Sequence, residues 1–299
     1  MKTTTAVLLA LIIIIVLLAL NLTVFWPDER QAAAPDEAIQ AGLAPHDVRG
    51  PETLNPIMKY GYPGTAMIRY RDGYVLSYDA RNRVPFWVCE LLDADLLKGS
   101  ASRVKSSFRV DTSIPVEFRS SNDDYERSGF DRGHMAPAGD HKKSRDEMDE
   151  TFFLSNMAPQ AGAGFNRGYW ADVEGRIRDW AGERRLYVYT GPLYLPEEAI
   201  DGGRYVRYRV IGDGRVAVPT HFFKVILAES GSGVEVLALV LPNENIRKNT
   251  PLSRFMVSVD DLERMSGLDF MDVLDDGTEA MLEREVLPDY WLTTPLKQN

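Results

Sequence analysis

Asp131-Arg132-Gly133-His134-Met135-Ala136-Pro137 decides the reading of this chain, together with Leu154-Ser155-Asn156-Met157-Ala158-Pro159-Gln160 and the downstream residues Asn166 and Glu174. In order, these positions supply an imidazole, a guanidinium, amide oxygens and a spare carboxylate. Phosphodiester hydrolysis asks for those residue types. Its barrier must fall by ~20 kcal/mol, which no single group supplies. His134, with an ordinary pKa near ~6.5, can take a proton from water at neutral pH and so make the nucleophile. Asn166 offers a neutral oxygen to a divalent cation, which offsets the charge gathering on the transition state. Such a ligand suits Mg²⁺, which keeps most of its waters, and Mn²⁺ is the alternative. Arg132 presents a planar fork of donors to a phosphate.

Ser128-Gly129-Phe130 leads into the first stretch and Met148-Asp149-Glu150-Thr151-Phe152-Phe153 into the second. With them, residues 61 to about 270 resemble the DNA/RNA non-specific endonuclease family of ββα-metal nucleases. The endonuclease G type is the nearest branch, because Thr190-Gly191-Pro192-Leu193-Tyr194-Leu195-Pro196 and Val218-Pro219-Thr220-His221-Phe222-Phe223-Lys224-Val225 also match. The resemblance implies His134 as general base and Asn166 as metal ligand. It further implies Glu174 as the carboxylate that orders metal waters, with Arg132 and Asn156 as active-site partners. Arg103 or Lys105, before Phe108-Arg109-Val110-Asp111, matches a phosphate-contacting arginine loosely, and Arg109 joins them as a candidate contact. DNA and RNA are the implied substrates, cut to 5′-phosphate and 3′-hydroxyl ends, and a homodimer is left open.

Plainer readings stand beside these. An isolated Asp-Arg-Gly-His is also a turn with a surface ion pair, and it is the further blocks in the same order that favour catalysis. Asn166 is also a favoured helix cap. Glu174 lies eight residues on, which in a regular helix means ~12 Å along the axis and ~80° round, so both cannot ligate one ion. His221 reads as a core histidine, His46 and His141 as loop residues, and Cys89 as a buried apolar residue.

Residues 6–26 are apolar apart from Asn21 and Thr23. That length spans a bilayer, with Lys2 before it and Asp28-Glu29 after it. The expectation is a single-pass membrane anchor over residues 1–26 with the rest outside the cytoplasm, on the periplasmic or intermembrane side. A cleaved signal peptide is the rival, given Gln31-Ala32-Ala33-Ala34. Residues 27–60 read as a flexible tether. One catalytic domain occupies residues 61–299.

Its pattern is α+β, an antiparallel-rich sheet flanked by helices. Residues 66–71 and 74–78 flank Asp72-Gly73, a hairpin signal. Residues 84–92, 186–190, 205–211, 216–228 and 234–241 read as further strands. Trp170, Val173, Ile177 and Trp180 repeat at helical spacing, a core-facing stripe.

The net charge of −10 sits oddly with a polyanionic substrate until it is located. Residues 257–289 carry eleven acids against Arg264 and Arg284, leaving the remainder near neutral. Phosphate binding needs only a local positive field. No zinc finger, basic zipper or RNA-binding sheet signature is present, so contacts to phosphate and sugar are expected, with little sequence preference. A nucleic-acid-binding protein without turnover, an envelope-interaction protein and a phosphodiesterase for lipid or small cyclic diesters are the competing classes.

Overall fold

The structure, a computed structural model, describes residues 55–231 and 233–284. Its strands are β1 (Ile68–Tyr70), β2 (Tyr74–Asp79), β3 (Val84–Leu92), β4 (Asp131–His134), β5 (Met157–Gln160), β6 (Arg185–Leu193), β7 (Glu197–Glu198), β8 (Arg204–Tyr205), β9 (Val210–Ile211), β10 (Val216–Ala217), β11 (His221–Ser230), β12 (Gly233–Pro242) and β13 (Met256–Val257). Its helices are α1 (Asn122–Tyr125), α2 (Arg145–Glu150), α3 (Trp170–Ala181), α4 (Val259–Ser266) and α5 (Asp276–Arg284). Seven strands form an antiparallel sheet in the order β1-β2-β3-β6-β11-β12-β13, and β4 pairs separately with β5. The expected α+β architecture is what the chain adopts.

Side chains alternate across a strand, and here both faces are covered. Val88, Leu186, Val188, Phe222 and Ile226 pack with Met135, Leu154, Trp170 and Ile177 on one face. Trp87, Cys89, Tyr187, Tyr189, Phe223 and Val225 pack with Ile57, Met58, Val259, Leu262 and Phe270 on the other. The β4–β5 pair and α3 therefore lie on the first face, and the acidic α4–α5 region lies on the second. Among the described residues, the acids from Asp260 to Glu283 lie on the face away from the motif, which resolves the charge paradox.

The Asp72-Gly73 turn forms as expected, closed by Arg71 N donating to Tyr74 O at 2.8 Å. Gly73 is required by a close approach rather than by its own φ: a Cβ there would lie 2.2 Å from His141 Nδ1. The stripe on α3 is confirmed, with Trp170, Val173, Ile177 and Trp180 all buried. Each large side chain so covered contributes roughly 1.5–3 kcal/mol.

Three expectations change. Residues 205–211 are not one strand; β8 and β9 form separate two-stranded ribbons with β7 and β10. Residues 216–228 divide into β10 and β11 at Val218-Pro219-Thr220, where proline has no N–H to give a ladder. The folded part also starts before residue 61: Pro56–Met58 forms a 3-10 turn, and Ile57, Met58 and Tyr60 are buried in the core. The rest of the expected tether and the apolar segment 6–26 lie outside the described residues.

Candidate active site

The motif strand β4 runs antiparallel to β5 with Gly133 opposite Ala158 and His134 opposite Met157. Gly133 has a steric reason: a Cβ would lie 2.1 Å from Gln160 Oε1. His134 is half-buried, its ring 5.0 Å edge-on from Phe152 and 5.7 Å from Phe108. Its Nε2 is sealed from solvent without a hydrogen-bond partner. Burial, with the Arg103 and His141 charges nearby, holds the imidazole down at about 3. The ring is therefore neutral at physiological pH, with burial and the neighbouring positive charges opposing its protonation in the substrate-free chain.

Arg132 shares Phe108 with His134, its guanidinium 5.2 Å from that ring and 5.4 Å from Tyr125. Nη2 donates to Asn122 O at 2.9 Å, while Nε is buried without an acceptor. A planar cation fixed between two rings with donors unspent is prepared for an anion.

Asn166 does not cap α3. It sits in the preceding turn, Gly162–Tyr169, a π-helical stretch in which Arg167 and Gly168 depart from helical φ/ψ. The regular spacing to Glu174 is thereby broken. Asn166 Nδ2 donates to Asp131 Oδ2 at 2.9 Å, and Arg167 Nε approaches the same oxygen at 3.1 Å. Asp131 thus orients the amide and ties it to the strand bearing His134. Asn166 Oδ1 is left without a hydrogen bond among the described residues.

Glu174 lies on α3 with no hydrogen bond to its carboxylate among the described residues. Burial pushes it up to about 7, against the pull of Lys224 and Arg178 and with the push of Asp140 and Glu90. Arg178, one turn on, pairs with the buried Asp140 at 2.8 Å and so fastens α3 to the loop after β4. Sequence reasoning passed over Arg178, although its i+4 spacing from Glu174 was a usable signal.

Asn156 is fully buried and wholly engaged. Its Oδ1 accepts from Ala136 N, and its Nδ2 donates to Ala136 O and Thr151 O, all at 2.9 Å. It braces the backbone just behind His134. Arg103 and Arg109 are exposed, Arg103 5.5 Å from the ring of Phe152, which abuts His134, and Arg109 4.4 Å from the ring of Phe153 next in sequence. Lys105 is exposed on the turn Arg103–Lys105, apart from those rings. His221 is half-buried beside Thr220 Oγ1 at 3.0 Å.

His141, read as a loop residue, is buried between two carboxylates. Nε2 meets Glu90 Oε2 at 3.0 Å and Nδ1 meets Glu147 Oε1 at 3.1 Å. Two carboxylates facing both nitrogens favour the imidazolium, and these partners raise the ring to about 10 despite burial, while burial also pushes Glu90 up. Its folded value exceeds its unfolded value of about 6.5, so its stabilisation is complete below pH ~6.5 and is lost as pH rises toward 10. Between pH 7.5 and 10 the wild-type folding free energy should fall more steeply than that of His141→Gln, by up to about 1.4 kcal/mol per pH unit. Denaturant titrations across that range check this, and parallel slopes would contradict it.

The donor set fits a hard divalent ion. Asn166 Oδ1 and the Glu174 carboxylate each lack a hydrogen bond among the described residues, and both are the oxygen type that a hydrated Mg²⁺-type ion takes. The family model of DNA/RNA non-specific endonucleases matches residues 54–277. This chain belongs to that family. Within it, the chain is 47% identical to mitochondrial endonuclease G of Caenorhabditis elegans over 233 residues, covering 77% of this chain and 76% of the relative. It is 49% identical to nuclease C1 of Cunninghamella echinulata var. echinulata over 227 residues, 74% and 90% of the two chains. A solved EndoG structure, from the EndoG/EndoGI complex, superposes with a TM-score of 0.71 at 50% identity, covering 73% of this chain and 91% of that one. The likeness places the chain on the endonuclease G branch.

The location expected from sequence is corrected. Among the described residues no helix is long and apolar enough to cross a membrane. The endonuclease G relatives of Caenorhabditis elegans and Homo sapiens are named as mitochondrial proteins. These findings overturn the expectation of a membrane-anchored domain outside the cytoplasm.

Proposed function

We propose that this nuclease hydrolyses DNA and RNA without sequence preference, using His134 as general base and one Mg²⁺-type ion held through Asn166. The observation that carries the reading is the motif strand itself. It presents a neutral, aromatic-clamped imidazole at one end and, at the other, the Asp131 carboxylate that aims Asn166 Oδ1. Mn²⁺ satisfies the same oxygen donors. When bound, the ion offsets negative charge on the pentacovalent transition state.

The residues divide the remaining work. His134 takes the proton of the attacking water, and the phosphate's charge beside the ring draws its low pKa up toward the working range. Arg132 grips a non-bridging phosphate oxygen. Glu174 would order water beside a bound ion. Asn156 is a positioning residue that holds the backbone at Met135-Ala136. The attacked phosphorus keeps the 5′ oxygen, so the products carry 5′-phosphate and 3′-hydroxyl ends. Incubating the full chain with supercoiled plasmid, single-stranded DNA and RNA, with and without EDTA, tests the reading. Cleavage of all three that EDTA abolishes is expected; persistence in EDTA would refute the metal.

Binding should follow phosphate neutralisation alone. Affinity for duplex DNA should fall with salt at a log–log slope of roughly −0.9 per phosphate neutralised, alike for unrelated sequences. Removing the charge of Arg103, Lys105 or Arg109 should flatten the slope by about one unit wherever that residue contacts phosphate. Neutralising Asp260 and Asp269 should leave it unchanged, since they lie with α4–α5. Substitution is the proper test there because truncation after Val257 would remove the core residues Val259, Leu262 and Phe270.

A further inference from the structure

Arg132 and His134 share more than a strand. The ring of Phe108 lies 5.2 Å from the Arg132 guanidinium and 5.7 Å from the His134 ring, so one side chain abuts both the base and the arginine that grips phosphate. Phe108 belongs to neither β4 nor β5, and its place depends on contacts from two sides. On one side its neighbour Arg109 is bridged to the segment before β5, Arg109 N donating to Phe152 O at 3.1 Å and Leu154 N to Arg109 O at 2.9 Å. On the other side Asn122 Nδ2 donates to Phe108 O at 2.9 Å.

Asn122 is the first residue of α1. Serine and asparagine side chains commonly bond to their own turn. Ser121 does so, accepting from Asp124 N in a capping box that Asp124 reciprocates. Asn122 instead sends its amide to a carbonyl 14 residues back, while its own carbonyl accepts from Arg132 Nη2 at 2.9 Å. Tyr125, on the same turn, places its ring 5.4 Å from the guanidinium. Asp124 Oδ1 accepts from Gly214 N at 2.6 Å and so anchors the turn to the segment joining β9 and β10. The turn is held from outside, and Asn122 is its point of contact with both Phe108 and Arg132.

We propose that Asn122 is a positioning residue for hydrolysis: its amide holds Phe108 against His134 and Arg132, and its carbonyl sets the guanidinium, so that base and arginine keep one spacing. The inference rests on the roles given to His134 and Arg132 above. No change of charge is involved, only two hydrogen bonds and a ring. His134 Nε2 has no hydrogen-bond partner among the described residues, so the imidazole takes its direction from Phe108 and Phe152. A reacting group misplaced by a fraction of an ångström loses rate without losing its chemistry.

Steady-state kinetics of the full chain on duplex DNA at saturating Mg²⁺, read beside thermal midpoints, test this. Asn122→Asp keeps the size of the side chain, and a first helical turn tolerates an acid, but a carboxylate cannot donate to Phe108 O. Turnover should fall on the order of tenfold in both Asn122→Asp and Asn122→Ala. The KM of Asn122→Ala should stay within about threefold of wild type, because the backbone carbonyl still meets Arg132. Asn122→Asp should melt close to wild type, and in a Phe108→Leu background Asn122→Ala should cost little further turnover, since the ring it acts through is gone. Wild-type turnover in Asn122→Asp, or losses that add in the double variant, would overturn the proposal while leaving His134 and Arg132 in their roles. Turnover that falls only in step with the thermal midpoint would assign Asn122 to the fold alone. Undiminished turnover of His134→Ala would remove those roles and the proposal together.

Discussion

His134→Ala should lose ~10²–10⁴-fold in turnover while affinity for DNA stays nearly constant, since a positioned general base is worth about that much. The packing explains why the two effects separate. The imidazole rests against Phe108 and Phe152 and makes no hydrogen bond that holds the fold. In the proposed mechanism phosphate grip falls to Arg132 and the exposed basic residues. Removing the ring opens a small space between two phenyl groups, at a stability cost of a few kcal/mol at most. Single-turnover cleavage paired with equilibrium binding measures both quantities. Binding lost in step with rate would assign His134 to substrate capture rather than to chemistry.

Asn166→Ala should raise the Mg²⁺ concentration needed for half-maximal activity and lower turnover at limiting Mg²⁺ by roughly 10²-fold, because a divalent ion contributes several kcal/mol of transition-state stabilisation. High Mg²⁺ should restore part of the rate. The fold should survive, since Asp131 keeps Arg167 as a partner and the site is half-open. Asn166→Asp is not a rescue: the new carboxylate would replace the Nδ2–H that Asp131 accepts, placing two anions together. A metal titration with an unmoved midpoint would send the ligand assignment to another residue.

What could be read in advance was what local chemistry encodes. The order of the motif blocks, the Asp72-Gly73 turn and the Trp170–Trp180 stripe each depend on neighbours in sequence, and each stands in the structure. The remainder depends on contacts between distant segments. His141 follows a glycine and an aspartate and resembles a loop residue, yet Glu90 is 51 positions away and closes on it. Lys224 hides in an apolar run, and only the strand register shows Thr190 beside it. Asn156 is a brace because the Ala136 backbone folds back onto it across 20 residues. The turn before α3 departs from helical geometry at Arg167 and Gly168, after a glycine-rich stretch, Gly162-Ala163-Gly164, whose sequence does not specify a conformation. Residues 56–60 lacked a period of their own, and their burial is set by the far face of the sheet.

The central claim is that one site, built on β4, serves both nucleic acids through the phosphodiester they share. Competition kinetics address it most directly. DNA should inhibit RNA hydrolysis competitively, with an inhibition constant equal to its own KM, and His134→Ala should lower both activities by the same factor. Non-competitive inhibition, or a His134→Ala variant that keeps one activity while losing the other, would contradict the account.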